Sequence, residues 1–136
     1  MSVNQIFGYA FGAVYLLVGL VGFLVTGGVG LAAPDGALLL GIFEVNPLHN
    51  VVHLLIGAAF VAGAVGGTAT ARMVNTAVGA AYVAVGVFGV AVPAASPVNF
   101  LALNVADHVL HFGTGALALA VGLKADRGSL ASSSAR

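Results

Sequence analysis

Four apolar stretches of about 20 residues follow one another along this chain, and none of them contains more than one charged residue. A helix needs about 20 predominantly apolar residues to cross the hydrocarbon core of a bilayer. Backbone polar groups in lipid must be satisfied internally, so only helices or closed barrels can span it, and four strands cannot close a barrel. We therefore predict an all-α integral membrane protein, an antiparallel four-helix bundle with spans at about 6–25, 47–66, 73–92 and 105–123.

The scarcity of charge excludes other classes of protein. Charged residues make up 6% of the 136-residue chain, against about 25% in a typical soluble domain. Four basic and four acidic residues cancel, so there is no basic face for nucleic acid. The chain has no cysteine, which removes thiolate catalysis and thiolate-ligated metal sites. The expected partners are the lipid bilayer and other membrane-protein subunits.

The basic residues indicate how the bundle is oriented. They are Arg72, Lys124, Arg127 and Arg136. Arg72 falls in the predicted turn between the second and third spans, and the other three follow the fourth span. Basic residues accumulate on the cytoplasmic side of membrane proteins. We therefore predict a multi-pass protein of the cytoplasmic membrane with both termini cytoplasmic and with the connections 27–46 and 93–103 outside.

The chain reads as one membrane domain, 1–123, followed by a short polar cytoplasmic tail, 124–136. The first span has no basic segment before it and no clear cleavage site after it, so we expect it to be retained rather than removed as a signal peptide. The 27–46 connection is long and apolar, and we expect it to lie along the membrane interface or to cap the bundle.

The same two-helix unit occurs twice in the sequence. The first span contains Gly12-Ala13-x-Tyr15-x-x-Val18-Gly19-x-x-Gly22, and the third contains Gly79-Ala80-x-Tyr82-x-x-Val85-Gly86-x-x-Gly89. The second span begins Asn46-x-x-His49-x-x-x-His53, and the fourth begins Asn104-x-x-Asp107-x-x-x-His111. Two tandem two-helix repeats are expected to be related by a pseudo-two-fold axis along the membrane normal.

A polar cluster is predicted from the same motifs. Its members are Asn46, His49, His53, Asn104, Asp107, His111, Tyr15 and Tyr82. Asparagine is a preferred N-cap, which explains its presence before the second and fourth spans. Residues four apart share a helix face, so the two His/Asp pairs should converge if these spans meet. The expected location is the bundle interior near the outer side, because ionisable groups in membrane helices avoid lipid.

Several interpretations of this cluster are compatible with the sequence. It can be a hydrogen-bond network that ties helices together, or a metal site in which His49, His53, Asp107 and His111 bind zinc, copper or iron. A haem or quinone site using His53 and His111 is a further alternative, as is a proton relay. No nucleophile or catalytic motif accompanies these groups, so we do not expect an enzyme. His108 interrupts the repeat, and we expect it to face the interface or a partner.

The two motifs also carry a resemblance. Asn46-Pro47-Leu48-His49-Asn50-Val51-Val52-His53, Asn104-Val105-Ala106-Asp107-His108-Val109-Leu110-His111 and the two Gly-Ala-x-Tyr stretches resemble a family of short bacterial four-helix membrane proteins. This family is common in high-GC Gram-positive bacteria and is known only as a domain of unknown function. The resemblance covers about Phe7 to Leu123, and the family often has Asn where His108 stands. It implies four spans and a membrane location, and it implies no activity.

The predicted function is therefore that of a small polytopic membrane protein. We expect a non-enzymatic structural or accessory module, or a subunit of a larger membrane complex, with a buried His/Asp/Tyr cluster. The alternative is a metal-binding or haem- or quinone-binding membrane module that uses the same cluster.

Overall fold

A computed structural model describes residues 1–126 as four long helices and one short hairpin. The helices are α1 (Val3–Val25), α2 (Pro47–Val65), α3 (Thr68–Ala91) and α4 (Val105–Lys124). Strands β1 (Ala37–Leu39) and β2 (Phe43–Val45) pair antiparallel within the first long connection. All four helices are long and apolar enough to cross a membrane. The structure therefore supports the predicted multi-pass membrane protein.

The helices pack as two close antiparallel pairs, α1 with α2 and α3 with α4. Glycines make the close approach feasible. A Cβ atom on Gly57 would lie 2.9 Å from the carbonyl oxygen of Gly12, and one on Gly115 would lie 3.0 Å from that of Gly79. Small residues at helix contacts bring backbones together in lipid, where there is little hydrophobic drive for association. The glycines of the two motifs therefore serve the contacts within each pair.

Most of the helix surface faces outward. Between 28% and 39% of the residues in the most apolar window of each helix are buried. The remaining residues are largely aliphatic, and they include side chains as exposed as Leu24 at 82%. A surface of this kind is unfavourable in water but suits contact with lipid tails.

Helix α3 begins earlier than the sequence predicts. The expected third span starts at Met73, after Arg72 in a turn, whereas α3 starts at Thr68 and includes Arg72. The link between α2 and α3 is only Gly66 and Gly67, and Gly67 adopts a φ of +97°, which favours glycine. The guanidinium of Arg72 donates to the backbone oxygen of Gly122 at 3.2 Å. A long charged side chain near a helix end can extend to polar partners there. Arg72 is therefore accommodated within α3 and does not lie in a turn.

The hairpin covers the end of the bundle at which α2 and α4 begin. Its residues Leu39 and Val45 are buried, and β1 contacts α1 while β2 contacts α4. The side chain of Asn104 donates to the carbonyl oxygen of Ile42 at 2.9 Å, and that of Asn46 donates to Phe100 at 2.8 Å. The N-cap of α4 is thereby hydrogen-bonded to the connection between α1 and α2, and the N-cap of α2 to the connection between α3 and α4. The first long connection therefore includes a small sheet that the sequence analysis did not predict.

The opposite end of the bundle is closed by a contact between the two ends of the described chain. The carboxylate of Asp126 accepts hydrogen bonds from the backbone N–H groups of Val3 and Asn4 at 3.3 and 2.9 Å, and from the Asn4 side chain at 2.8 Å. Asn75 of α3 donates to the Asn4 side-chain oxygen at 2.9 Å. The start of the predicted polar tail therefore packs against α1, and residues 127–136 of that tail lie outside the described residues.

Replacement of Asp126 by Ala is expected to lower the free energy of unfolding by roughly 1 kcal/mol at neutral pH, as for loss of an N-cap carboxylate. Partial burial raises the pKa of Asp126, but hydrogen bonds from Asn4 and Val3 outweigh this and hold the pKa below its ordinary value of 3.8. The stabilisation is therefore present above that value and is lost as the pH falls through the folded-state pKa.

Reversible unfolding in mixed micelles at several pH values measures this effect. Asp35→Ala is the matched control, because Asp35 is an exposed carboxyl in the loop before β1. Equal effects of the two substitutions, or a difference between wild type and Asp126→Ala that grows at acid pH, would contradict the assigned role of Asp126.

Candidate functional site

Two asparagines begin the helices that carry the candidate site. The side-chain oxygen of Asn46 accepts from the His49 N–H at 2.9 Å, and that of Asn104 accepts from the Asp107 N–H at 3.1 Å. Both residues have extended backbone at the N-cap position. The caps set where α2 and α4 start, and therefore at what depth the ionisable residues of their first two turns lie.

Three histidines lie together at the centre of the bundle, and we call them the histidine trio: His49 and His53 of α2 and His111 of α4. One ligand nitrogen from each lies within 4.8 Å of the others. Their exposed fractions are 2%, 4% and 4%. The ring centroids of His49 and His53 are 4.4 Å apart, and those of His49 and His111 are 6.0 Å apart. The trio is therefore a compact group of buried imidazoles drawn from both helix pairs.

The two tyrosines of the repeated motif border the trio. The Tyr15 ring is 5.4 Å from His53, the Tyr82 ring is 5.0 Å from His111, and the tyrosine rings are 5.4 Å apart. Both tyrosines are almost fully buried. The hydroxyl of Tyr82 is buried without a partner of standard hydrogen-bond geometry among residues 1–126. The Tyr82 hydroxyl interacts with the Tyr15 side chain, so both tyrosines place polar groups beside the imidazoles.

The trio itself has unused polar atoms. The Nδ1 atoms of His49, His53 and His111 are all buried, and none has a partner of full hydrogen-bond geometry among residues 1–126. Backbone groups of Leu101 and Glu44 interact with the His49 imidazole, and the backbone of Asp107 interacts with that of His111. Buried polar side-chain atoms are paired in the large majority of cases, and each exception requires an explanation. The Nδ1 atom of His108 and the Oδ1 atoms of Asn50 and Asn75 are likewise unpaired among residues 1–126, so what distinguishes the trio is that three such atoms lie in one compact group.

Asp107 lies beside the trio but has a different set of contacts. One carboxylate oxygen accepts from the backbone N–H of Asn104 at 2.9 Å and from that of Glu44 at 3.3 Å. These bonds complete a capping box on α4 and attach β2 to it. Asp107 is not among the residues whose ligand atoms cluster within 4.8 Å. The structure therefore brings together three of the four residues of the predicted metal set.

His108 is half-buried and lies apart from the trio. It packs over Gly89 of α3, where a Cβ atom would collide with the imidazole. It also lines a groove on the outer surface between α3 and α4, together with Phe112. The fourth histidine is therefore a natural control for experiments on the other three.

The sequence analysis missed two polar groups that the fold buries. Thr114 lies one turn after His111 on α4 and is 8% exposed, while Asn4 and Asn75 are fully buried at the end of the bundle opposite the hairpin. Their position in the sequence could have indicated this burial. Asn75 and Thr114 are polar residues inside apolar spans, where neither can serve as a helix cap. Thr114 also lies three residues after His111, a spacing that places two side chains on one helix face.

Comparison with known proteins identifies the family but no activity. A family model described as a domain of unknown function, DUF4383, matches residues 5–124. Neither the curated proteins nor the solved structures contain a match to the chain. The match covers all four helices, the hairpin and the histidine trio. The chain therefore belongs to the DUF4383 family of domains of unknown function.

Proposed function

We propose that this protein is a metal-binding membrane module in which the histidine trio holds a single transition-metal ion. The observation that carries the proposal is the convergence of three buried imidazoles whose ligand nitrogens lie within 4.8 Å of one another. The trio comes from two helices of different pairs, α2 and α4. A bound ion would therefore link the two halves of the bundle.

The unpaired nitrogens favour an ion over a network of hydrogen bonds. In a network the buried Nδ1 atoms would be expected to have well-formed partners, whereas those of the trio have none of full hydrogen-bond geometry among residues 1–126. An unsatisfied buried polar group costs about 1–3 kcal/mol. A metal ion that accepts lone pairs from imidazole nitrogens offsets this cost, because a coordinate bond replaces the missing hydrogen bond.

The spacing is compatible with coordination after small side-chain rotations. Zinc–imidazole bonds of about 2.1 Å separate neighbouring nitrogens in a tetrahedral site by roughly 3.4 Å. The trio therefore needs to contract by about an ångström. We assign Asp107 to the cap of α4 and leave the fourth coordination position to a small ligand, which the Tyr82 hydroxyl could hydrogen-bond. Three imidazoles and no thiolate suit zinc, copper or iron.

The size of the nearby cavities favours an ion over a porphyrin. The two cavities that border the trio have volumes of about 190 and 140 Å³. A cavity of about 150 Å³ accommodates a single benzene ring, so neither cavity holds a four-ring macrocycle. We therefore do not extend the proposal to haem.

We further infer the orientation and the setting of the module. The distribution of basic residues favours the cytoplasmic membrane with both termini inside, which puts the trio in the outer half of the bilayer. Contacts at equivalent glycines, Gly12 with Gly57 and Gly79 with Gly115, support two tandem repeats about a pseudo-two-fold axis. We also propose that the two asparagine-led motifs are signatures of the family in bacteria of the high-GC Gram-positive type.

The accessory role remains a second proposal. Outside the helices, the described chain consists mainly of the connections 26–46 and 92–104, so almost no mass extends beyond the bundle. A module of this kind is suited to act as a non-enzymatic subunit of a larger membrane complex. Absence of any larger protein after purification in mild detergent would argue against it.

Metal analysis of the purified protein tests the proposed function. We expect about one zinc, copper or iron per chain in the protein as isolated, or one Zn²⁺ per chain after titration of the metal-free form. Replacement of zinc by Co²⁺ should give visible absorption bands typical of tetrahedral coordination. His108→Leu should leave the stoichiometry at one. Failure of the metal-free protein to bind any of the three metals stoichiometrically would disprove the proposal.

A further inference from the structure

A partly enclosed cavity lies between α1 and α4, beneath the hairpin. Its volume is about 190 Å³, and we call it the ring pocket. The residues that line it are Phe11, Val14, Tyr15, Val18, Leu39, Leu40, Phe43, Val45, His53, Asp107, Leu110 and Thr114. Nine of these twelve are aliphatic or aromatic, so the pocket is an apolar chamber with polar groups on one part of its wall.

The ring pocket opens toward the lipid. Helices α1 and α4 make far less contact with each other than either makes with its own partner helix. Val14 and Leu40, which line the pocket, are 55% and 78% exposed. Since this part of α1 and α4 lies within the predicted spans, the exposed rim faces the hydrocarbon region. A ligand would therefore enter laterally from the bilayer.

The polar part of the wall identifies the kind of group that would bind. His53 lines the pocket, is 4% exposed, and has a buried Nδ1 atom with no partner in residues 1–126. Asp107 and Thr114 lie on the same wall. None of the lining residues is lysine or arginine, and one is a carboxylic acid. An anionic head group such as a fatty-acid carboxylate or a phosphate is therefore disfavoured, and an uncharged hydrogen-bonding head group is favoured.

We propose that the ring pocket binds the head group of a lipid-soluble quinone, with its tail extending between α1 and α4 into the bilayer. The volume exceeds the roughly 150 Å³ that accommodates benzene, so one oxygen-substituted ring fits. Phe11, Tyr15 and Phe43 supply aromatic walls that favour a flat ring. A ring carbonyl can accept a hydrogen bond from the His53 N–H, or from the Thr114 hydroxyl if it turns away from the Tyr15 side chain with which it interacts.

This proposal does not depend on the metal. An imidazole has two nitrogens, so His53 can direct one toward a metal ion and the other toward the pocket. The pocket is formed mainly by α1, α4 and the hairpin, whereas the trio lies on α2 and α4. Binding of quinone and binding of metal can therefore be measured separately, and either can fail alone.

The sequence repeat provides a matched comparison within the molecule. A second cavity of about 140 Å³ lies between α2 and α3, and it is lined by Ala81, Tyr82 and Val85, the counterparts of Val14, Tyr15 and Val18. Its position equivalent to Thr114 is Ile56, which cannot donate a hydrogen bond. Only the first cavity is roofed by the hairpin, in the connection that is nine residues longer than its counterpart. The extra residues therefore build the ring pocket.

Titration calorimetry tests the proposal, with the protein in phosphatidylcholine nanodiscs and decylubiquinone as the probe. We expect saturable binding of one quinone per chain. Val14→Trp should weaken it at least tenfold by filling the mouth of the pocket, and Leu17→Trp, at an exposed position of α1 that does not line the pocket, should change it less than twofold. Palmitate should bind at least tenfold more weakly than the quinone.

The outcomes that overturn the proposal are distinct. Absence of saturable binding, equal effects of the two tryptophan substitutions, or equal affinity for palmitate would each reject a quinone pocket between α1 and α4. Zinc content measured on the same samples separates the two sites. Loss of quinone binding with one zinc retained rejects only the ring pocket, and quinone binding without stoichiometric metal rejects only the proposed metal site.

Discussion

His53→Leu is expected to lower the affinity for Zn²⁺ by at least 100-fold while leaving the metal-free protein as stable as the wild type or more stable. Loss of even an outer-shell partner costs 10–100-fold in metal affinity, and His53 is one of only three proposed ligands. In the metal-free state the substitution removes a buried nitrogen that has no partner of full hydrogen-bond geometry among residues 1–126, which relieves a cost of about 1–3 kcal/mol.

Measurements on the metal-free and the zinc-bound protein distinguish the competing interpretations of the trio. If the imidazoles only tie helices together, His53→Leu should destabilise the metal-free protein, because it would break a hydrogen bond that the fold needs. If they hold an ion, excess zinc should raise the unfolding temperature of the wild type but not of the variant, since a ligand stabilises only the form that binds it. His108→Leu is the control, and it should retain the response to zinc. Equal zinc responses in wild type and His53→Leu would reject His53 as a ligand.

Gly57→Ala is expected to destabilise the bundle by about 1–3 kcal/mol, the range for overpacking a tight contact. The added Cβ atom would lie 2.7 Å from the backbone nitrogen of Leu16 and 2.9 Å from the carbonyl oxygen of Gly12. Both neighbours are backbone atoms, so no side-chain rotation can relieve the overlap. The two helices must move apart, and the close packing along the whole α1–α2 contact is lost.

Gly113→Ala provides the matched control in the same kind of helix. A Cβ atom at Gly113 of α4 would meet nothing within 4 Å in the described structure. Alanine has the higher helix propensity, so this variant should unfold at the same denaturant concentration as the wild type or at a higher one. Unfolding in mixed micelles measures both variants. A Gly57→Ala protein as stable as Gly113→Ala would show that the α1–α2 contact does not depend on glycine.

The existence of the four helices could be predicted from the sequence because the bilayer imposes a single length and polarity on every span. The helix starts at Pro47 and Val105 could also be predicted, because an asparagine N-cap has a local hydrogen-bond geometry. The start of α3 could not be predicted in this way. Arg72 suggested a turn, but its guanidinium pairs with Gly122 of another helix, a contact that depends on how the bundle packs.

Some features of the polar site could likewise be predicted from the sequence, and others depend on the tertiary structure. Spacing alone placed His49 and His53 on one helix face, and the repeat suggested that His111 would join them. Spacing allowed Asp107 to cap α4, since it stands three residues after Asn104, but spacing could not reveal the Glu44 N–H that β2 brings to the same carboxylate. The contact between Asp126 and the start of α1 joins residues more than 120 positions apart in the chain, so no local sequence pattern predicts it.

The sequence by itself therefore determined the class of protein, the number of spans, the helix caps and the candidate ligands, because each depends on local composition or on residue spacing. Only the tertiary structure decided which polar atoms find partners. Among residues 1–126 it left the Nδ1 atoms of the trio without partners of full hydrogen-bond geometry, attached β2 to Asp107, and opened a pocket between α1 and α4. Pairing and cavity shape arise from side chains that distant segments bring together, and the order of residues within one helix does not specify them.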